Sequence, residues 1–197
     1  MINVNSKSIK KYDFIYVGRI DKRKCVDLII KALKILKDKN YNFSAVIIGS
    51  GPWYTDIKKL IKNHGLDRYV LLTGFLPSYE DVLRYITKSK FLILPSSYES
   101  DPLVIKEALS LGVPCIVSDI PALTAIIKDG ENGFVFRRYS CTNLAKCMEK
   151  ALKLSKGEYQ RFSKNAKKSI ENRNWVNIAK EYIKIFTKVV KRYDRQK

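Results

Sequence analysis

Long apolar runs are missing from this sequence, and no stretch is apolar enough for long enough to span a membrane. No charged-then-apolar segment opens it as a secretory signal would. Histidine is nearly absent. His64 is the only one, so a Ser–His or Cys–His hydrolase would have to be built on it. Its place just before Gly65, where an apolar periodicity stops, fits a capping role at a helix end instead. The four cysteines (Cys25, Cys115, Cys141, Cys147) show no metal-ligand spacing, and three fall in helix or strand patterns. They read as reduced packing residues of a cytosolic protein. No Asp-x-Asp motif for a divalent metal occurs either.

Negative charge is the other shortage: 19 Asp plus Glu stand against 38 Lys plus Arg, a formal net charge of +19. Three explanations are open at this point. The surplus could neutralise nucleic-acid phosphates, attract an anionic membrane surface, or reflect a lysine-rich background in which Lys is the default surface residue. From Lys156 onward, 13 Lys plus Arg face 4 Asp plus Glu, so the last 42 residues carry +9 of it.

What is present is enough for one domain. At 197 residues and 46% hydrophobic, the chain can bury a core without staples. Residues 1–11 are polar and lysine-rich, a flexible lead-in. Apolar segments at 12–17, 43–48, 69–72, 91–94 and 134–136 read as buried strands, with another following Gly112-Val113-Pro114. Between them Val26, Leu28, Ile29, Ile30, Leu33 and Leu36 mark an amphipathic helix, and helices follow at 53–63, 78–87, 121–128 and 142–154. Gly157 reads as a break before a helix at 159–170. A last helix at 175–193 carries Ile178, Ala179, Tyr182, Ile185, Phe186, Val189 and Tyr193 on one stripe, the usual mark of a core face. The alternation predicts an α/β fold, a Rossmann-like parallel sheet of about six strands with helices on both faces.

Two loops carry chemistry. Gly18-Arg19-Ile20-Asp21-Lys22-Arg23-Lys24 sets four basic side chains at the carboxyl end of the first strand. Gly49-Ser50-Gly51-Pro52 after the second strand reads as a tight turn rather than a phosphate cradle. Pro95-Ser96-Ser97-Tyr98-Glu99-Ser100-Asp101-Pro102 leads into a helix that holds Glu107, with Asp101 as N-cap and Pro102 at the first helical position. A loop at a strand's carboxyl end, beside the free amides of a helix N-terminus, suits a phosphorylated ligand.

This succession resembles the GT-B-type retaining glycosyltransferases of family 4 (glycosyl transferases group 1). The matching residues are Gly18, Arg19 and Lys24, then Pro95-Ser96, Glu99, and Glu107 eight positions on. Ala108-Leu109-Ser110-Leu111-Gly112-Val113-Pro114 and Asp129-Gly130-Glu131-Asn132-Gly133 complete the match. The resemblance runs from about Tyr12 to Tyr193 and covers the C-terminal, donor-binding half of such an enzyme. It implies a nucleoside-diphosphate sugar as donor substrate, with no cofactor and no metal. Arg19 and Lys24, beside Gly18, would hold the diphosphate, and the amides of Leu103 and Val104 would approach it. Glu107 would bind the ribose hydroxyls, Phe75 and Leu76 the base. Glu99 would lie by the donor sugar as the catalytic, positioning carboxylate.

Two departures stand out. Cys25 replaces a glycine, and Ser100-Asp101-Pro102 replaces a Gly-aromatic-Gly turn. An Asp101 capping the next helix would compete with phosphate for its amides. The resemblance divides the chain into lead-in (1–11), nucleotide-sugar-binding domain (12–174), and basic C-terminal helix and tail (175–197). It implies that an N-terminal acceptor-binding domain is missing or is supplied by a separate polypeptide. The last helix, which leans on that domain in the family, would then expose part of its stripe at Ile185, Phe186 and Val189. A cytoplasmic location is expected, with peripheral attachment to the inner membrane face as one use of the basic surface. An inactive nucleotide-sugar-binding module and a basic nucleic-acid-binding protein remain the alternatives.

Overall fold

A computed structural model describes residues 10–171 and 175–194. One sheet of six strands organises them: β1 (Tyr12–Val17), β2 (Ala45–Ile48), β3 (Val70–Gly74), β4 (Ser89–Leu94), β5 (Cys115–Ser118) and β6 (Gly133–Phe136). Every pairing is parallel, in the order β3-β2-β1-β4-β5-β6. The chain winds outward from β1 to β3, then α3 (Tyr79–Thr87) returns it to β4 on the other side of β1. Right-handed crossovers require this return to change faces. The winding therefore reverses between β1 and β4, and a crevice opens beyond their carboxyl ends.

Strands buried on both sides read as near-continuous apolar runs. All four residues of β2 are buried, as are Phe14, Ile15 and Tyr16 of β1. The helices α1 (Val26–Asp38), α2 (Tyr54–Asn63) and α6 (Cys141–Lys153) pack together on one face. On the other, α4 (Leu103–Ser110) packs against both α3 and α7 (Lys156–Ile170). Under α7, Phe162 meets Phe134 with ring centroids 5.0 Å apart and Phe91 at 6.2 Å.

Several boundaries move from where the sequence pattern puts them. The helix after β5, α5 (Pro121–Thr124), is a single turn and not an element reaching residue 128. The buried Asn132 side chain is the reason. Its Oδ1 accepts from Lys128 N at 2.8 Å and its Nδ2 donates to Ile126 O at 3.1 Å, folding this segment into a turn. Gly157 breaks nothing. It lies in the first turn of α7, which starts at a capping box between Ser155 and Glu158. The lead-in also ends sooner than residue 11. Lys10 Nζ donates to Thr87 O and Ser89 O, both at 2.9 Å. Burial and the nearby Lys167 lower the pKa of that ammonium to about 8. The rest of the lead-in, residues 1–9, lies outside the described residues.

The last helix, α8 (Trp175–Asp194), begins where the stripe predicts. Its stripe is open to solvent and not core, as the resemblance implies for Ile185, Phe186 and Val189. Tyr182, Ile185, Phe186, Val189 and Tyr193 are all more than half exposed, and the Ile178 side chain lies outside the described residues. Among the described residues no helix is long and apolar enough to cross a membrane.

Candidate functional site

The loop after β1 is shaped by its own side chains. Asp21 Oδ1 accepts from Arg23 N at 3.0 Å and Lys24 N at 3.2 Å, capping a short 3-10 turn at Lys22–Lys24. Cys25 then takes the left-handed conformation, φ 51° and ψ 40°. That conformation favours glycine, which accounts for the glycine of the pattern that Cys25 replaces. Its buried thiol points back at Lys22 O, 3.3 Å away, and burial with nearby Asp27 raises its pKa.

The turn delivers Lys24 into the crevice. Its Nζ lies 2.6 Å from Glu99 Oε1, joining two residues 75 positions apart. Ser97 locks the same two loops together, donating from N at 2.8 Å and from Oγ at 3.1 Å to Arg23 O. Arg19 Nε pairs with Asp21 Oδ2 at 3.3 Å. The buried Tyr16 phenol donates to Arg19 O at 2.7 Å, fixing the backbone there.

The Gly49-Ser50-Gly51 turn presses against this loop from the β2 side. Ile20 N donates to Ser50 O at 2.8 Å, and Gly18 N to Ile48 O at 3.0 Å. A β-carbon at Gly49 would sit 1.9 Å from Gly18 O, and one at Gly51 2.4 Å from Ile20 O. The glycines thus serve a close approach of two backbones.

Two adjoining cavities occupy the crevice. The larger, about 520 Å³, is walled by Gly18, Lys24, Phe75, Leu76, Glu99, Leu103, Val104 and Glu107, with Tyr79 and Asp101 also on its wall. The smaller, about 450 Å³, shares Gly18, Phe75 and Leu76 and adds Arg19 and the Gly49-Ser50-Gly51 turn. All nine residues singled out in the sequence therefore meet at these two cavities. Phe75 is 71% and Leu103 59% exposed, apolar surface that a ligand would cover.

Asp101 is not the N-cap of α4. Pro102 takes that position, no side chain caps the helix, and the Asp101 carboxylate pairs with Lys106 one turn along α4. The ion pair wins because Lys106 offers a full charge where the amides offer partial ones. The first amides of α4 are left uncapped, as helix geometry leaves them, and the competition with phosphate expected from a capping Asp101 does not arise.

Sequence reasoning missed Tyr79. It was visible only as the first residue of a helix capped by Ser78, whose Oγ accepts from Asp81 N at 3.2 Å. In the structure its hydroxyl donates to Glu107 Oε1 at 2.9 Å. Burial and the Glu107 carboxylate raise the phenol pKa. The smaller cavity's Gly49-Ser50-Gly51 wall was also missed, because a turn's glycines do not reveal which loop they face. Among the described residues no cluster of His, Cys, Asp and Glu is arranged to hold a metal ion.

A doubly wound parallel sheet with its crevice at the switch point places the chain among the Rossmann-like α/β domains. Sequence then gives the family. The profile described as Glycosyl transferases group 1 matches residues 2–169, and the chain belongs to that family. The alpha-D-kanosaminyltransferase of Streptomyces kanamyceticus is 33% identical over 138 residues, 70% of this chain and 36% of that protein. An uncharacterized glycosyltransferase of Methanocaldococcus jannaschii, MJ1607, is 31% identical over 175 residues, 87% of this chain and 44% of its own length. The chain therefore spans less than half of either relative.

Solved structures agree on the fold. A point mutant of S. aureus TarM, crystallised with Fondaparinux, alpha-GlcNAc-glycerol and UDP, superposes with a TM-score of 0.82 at 21% identity, covering 91% of this chain and 36% of TarM. The C-terminal domain of a glycosyl transferase group 1 family protein (LpcC) from Francisella tularensis gives 0.74 at 24% identity. There the match covers 84% of this chain and 87% of that one.

Proposed function

We propose that this chain is the donor-binding half of a retaining glycosyltransferase, moving a sugar from a nucleoside-diphosphate sugar to a glycan or lipid-linked acceptor. One observation carries the reading: Glu107, the Lys24–Glu99 pair and the uncapped start of α4 face a single cavity of about 520 Å³. A carboxylate can accept both hydrogens of a ribose cis-diol, the role given to Glu107. Helix amides and Lys24, with Arg19 from the adjoining cavity, stabilise charge that builds on the departing diphosphate. No metal ion is part of this reading. Glu99 positions the donor sugar through its carboxylate and forms no covalent intermediate. UDP bound to TarM supports a nucleoside diphosphate as the ligand class. The exposed stripe of α8 is then the surface on which the acceptor-binding domain rests.

Calorimetry separates the parts. Arg19→Ala is expected to weaken binding of nucleoside diphosphate and pyrophosphate alike by about 1–3 kcal/mol, the scale of a charge-assisted hydrogen bond. Glu107→Ala is expected to cost a similar amount for uridine, guanosine or adenosine diphosphate, whichever binds tightest, and to leave pyrophosphate unaffected. Equal losses for both ligands in Glu107→Ala would remove the ribose assignment. Tight binding of single-stranded RNA that collapses in high salt, with no nucleotide binding, would favour a nucleic-acid function instead.

A further inference from the structure

We infer that Tyr79 is a positioning residue for the nucleoside end of the ligand, holding the Glu107 carboxylate in the orientation that receives the ribose hydroxyls. The inference rests on the ribose role proposed for Glu107 and extends it to a residue on a different helix.

The geometry is specific. Glu107 lies within α4 and Tyr79 is the first residue of α3, two helices that pack side by side. Among the described residues, the only hydrogen bond to the Glu107 carboxylate is the one from the Tyr79 hydroxyl, 2.9 Å to Oε1. Both residues line the larger cavity together with Phe75, Leu76 and Val82. The backbone under Tyr79 is fixed by the Ser78 cap, so the phenol reaches Glu107 from a rigid base.

A free glutamate spreads over many rotamers and loses that freedom when it engages a ligand. A carboxylate already held has paid that cost before binding. The choice of a phenol matters chemically. Glu99 is held by an ammonium, Lys24, which neutralises its charge. Tyr79 is neutral, so Glu107 stays pinned and keeps its full negative charge for accepting hydroxyl hydrogens. One of about four lone-pair directions on a carboxylate is used by the phenol, which leaves enough for a cis-diol. Burial and Glu107 itself raise the phenol pKa, so the donor proton is retained through the neutral range.

The test is a double-mutant cycle of Tyr79→Phe and Glu107→Ala. Calorimetry uses pyrophosphate and the tightest-binding of uridine, guanosine and adenosine diphosphates. Tyr79→Phe keeps the ring and removes only the donor, so it is expected to weaken nucleoside diphosphate binding about fivefold. Pyrophosphate affinity should not change. On the Glu107→Ala background the same change should cost nothing further, because Tyr79 acts through Glu107. Wild-type affinity in Tyr79→Phe, an additive loss in the double variant, or an equal loss for pyrophosphate overturns the positioning role. A Glu107→Ala variant that binds nucleoside diphosphate like the wild type overturns the ribose assignment itself, and Tyr79's role with it.

Discussion

Gly49→Ala is expected to abolish measurable nucleoside diphosphate binding and to lower the unfolding free energy by about 3 kcal/mol. The added β-carbon would lie 1.9 Å from Gly18 O, and Gly49 has φ +138°, where side chains are rarely tolerated. Both colliding groups belong to backbone, so no rotamer change can relieve the overlap. Gly18 would have to move, and it walls both cavities. Denaturant unfolding and calorimetry on one preparation check the two effects together. Gly157→Ala is the control. It meets nothing within 4 Å, lies in the first turn of α7, and should stabilise by up to ~1 kcal/mol. A Gly49→Ala protein with wild-type stability and affinity would show that the two loops do not depend on each other.

Lys24→Ala should produce two separable losses. Binding of pyrophosphate and nucleoside diphosphate should fall about 10- to 100-fold, because a charge-assisted contact to phosphate disappears. Stability should fall independently, because Glu99, with its side chain only 10% exposed, loses the ammonium 2.6 Å away. An uncompensated carboxylate in such a place is costly. Adding Glu99→Gln removes the stranded charge. The double variant should regain most of the stability and none of the affinity. Recovery of affinity in the double variant would show that Lys24 serves Glu99 alone and does not contact the ligand.

Much of this architecture could be read directly from residue patterns. Residues 12–17 are apolar enough to be a buried strand, and β1 is Tyr12–Val17. Ser78 with the acids after it marks a helix start, and α3 begins one residue later. These features are local, set by burial on both sheet faces and by cap chemistry. The misreadings occurred where a side-chain contact outside the local pattern decided the outcome. Asp101 before a proline looks like a cap until Lys106 is brought to it. The short α5 depends on Asn132, which reaches back into the chain before it. The spacing of Glu99 and Glu107 marks a site, but neither partner, Lys24 or Tyr79, is a sequence neighbour. The exposure of Ile185, Phe186 and Val189 on α8 was legible through the family resemblance alone, because the stripe has the period of a core helix and periodicity does not say what covers it.

Both cations on the cavity walls, Arg19 and Lys24, are already matched by Asp21 and Glu99, and Asp101 nearby is matched by Lys106. Glu107, held by a neutral phenol, adds one negative charge unmatched among the described residues. The crevice itself therefore supplies no long-range attraction for an anion, and any such attraction arises from the +19 carried by the chain as a whole. On the donor-binding reading, arrival and departure of the diphosphate ligand are then expected to be governed by different charges. Diffuse surface lysines accelerate encounter across distances that salt screens, about 8 Å at physiological ionic strength. Residence is expected to depend on short contacts in which phosphate oxygens take over Arg19 and Lys24 from their carboxylates, and such contacts are screened far less. Added salt should slow association while leaving dissociation nearly constant.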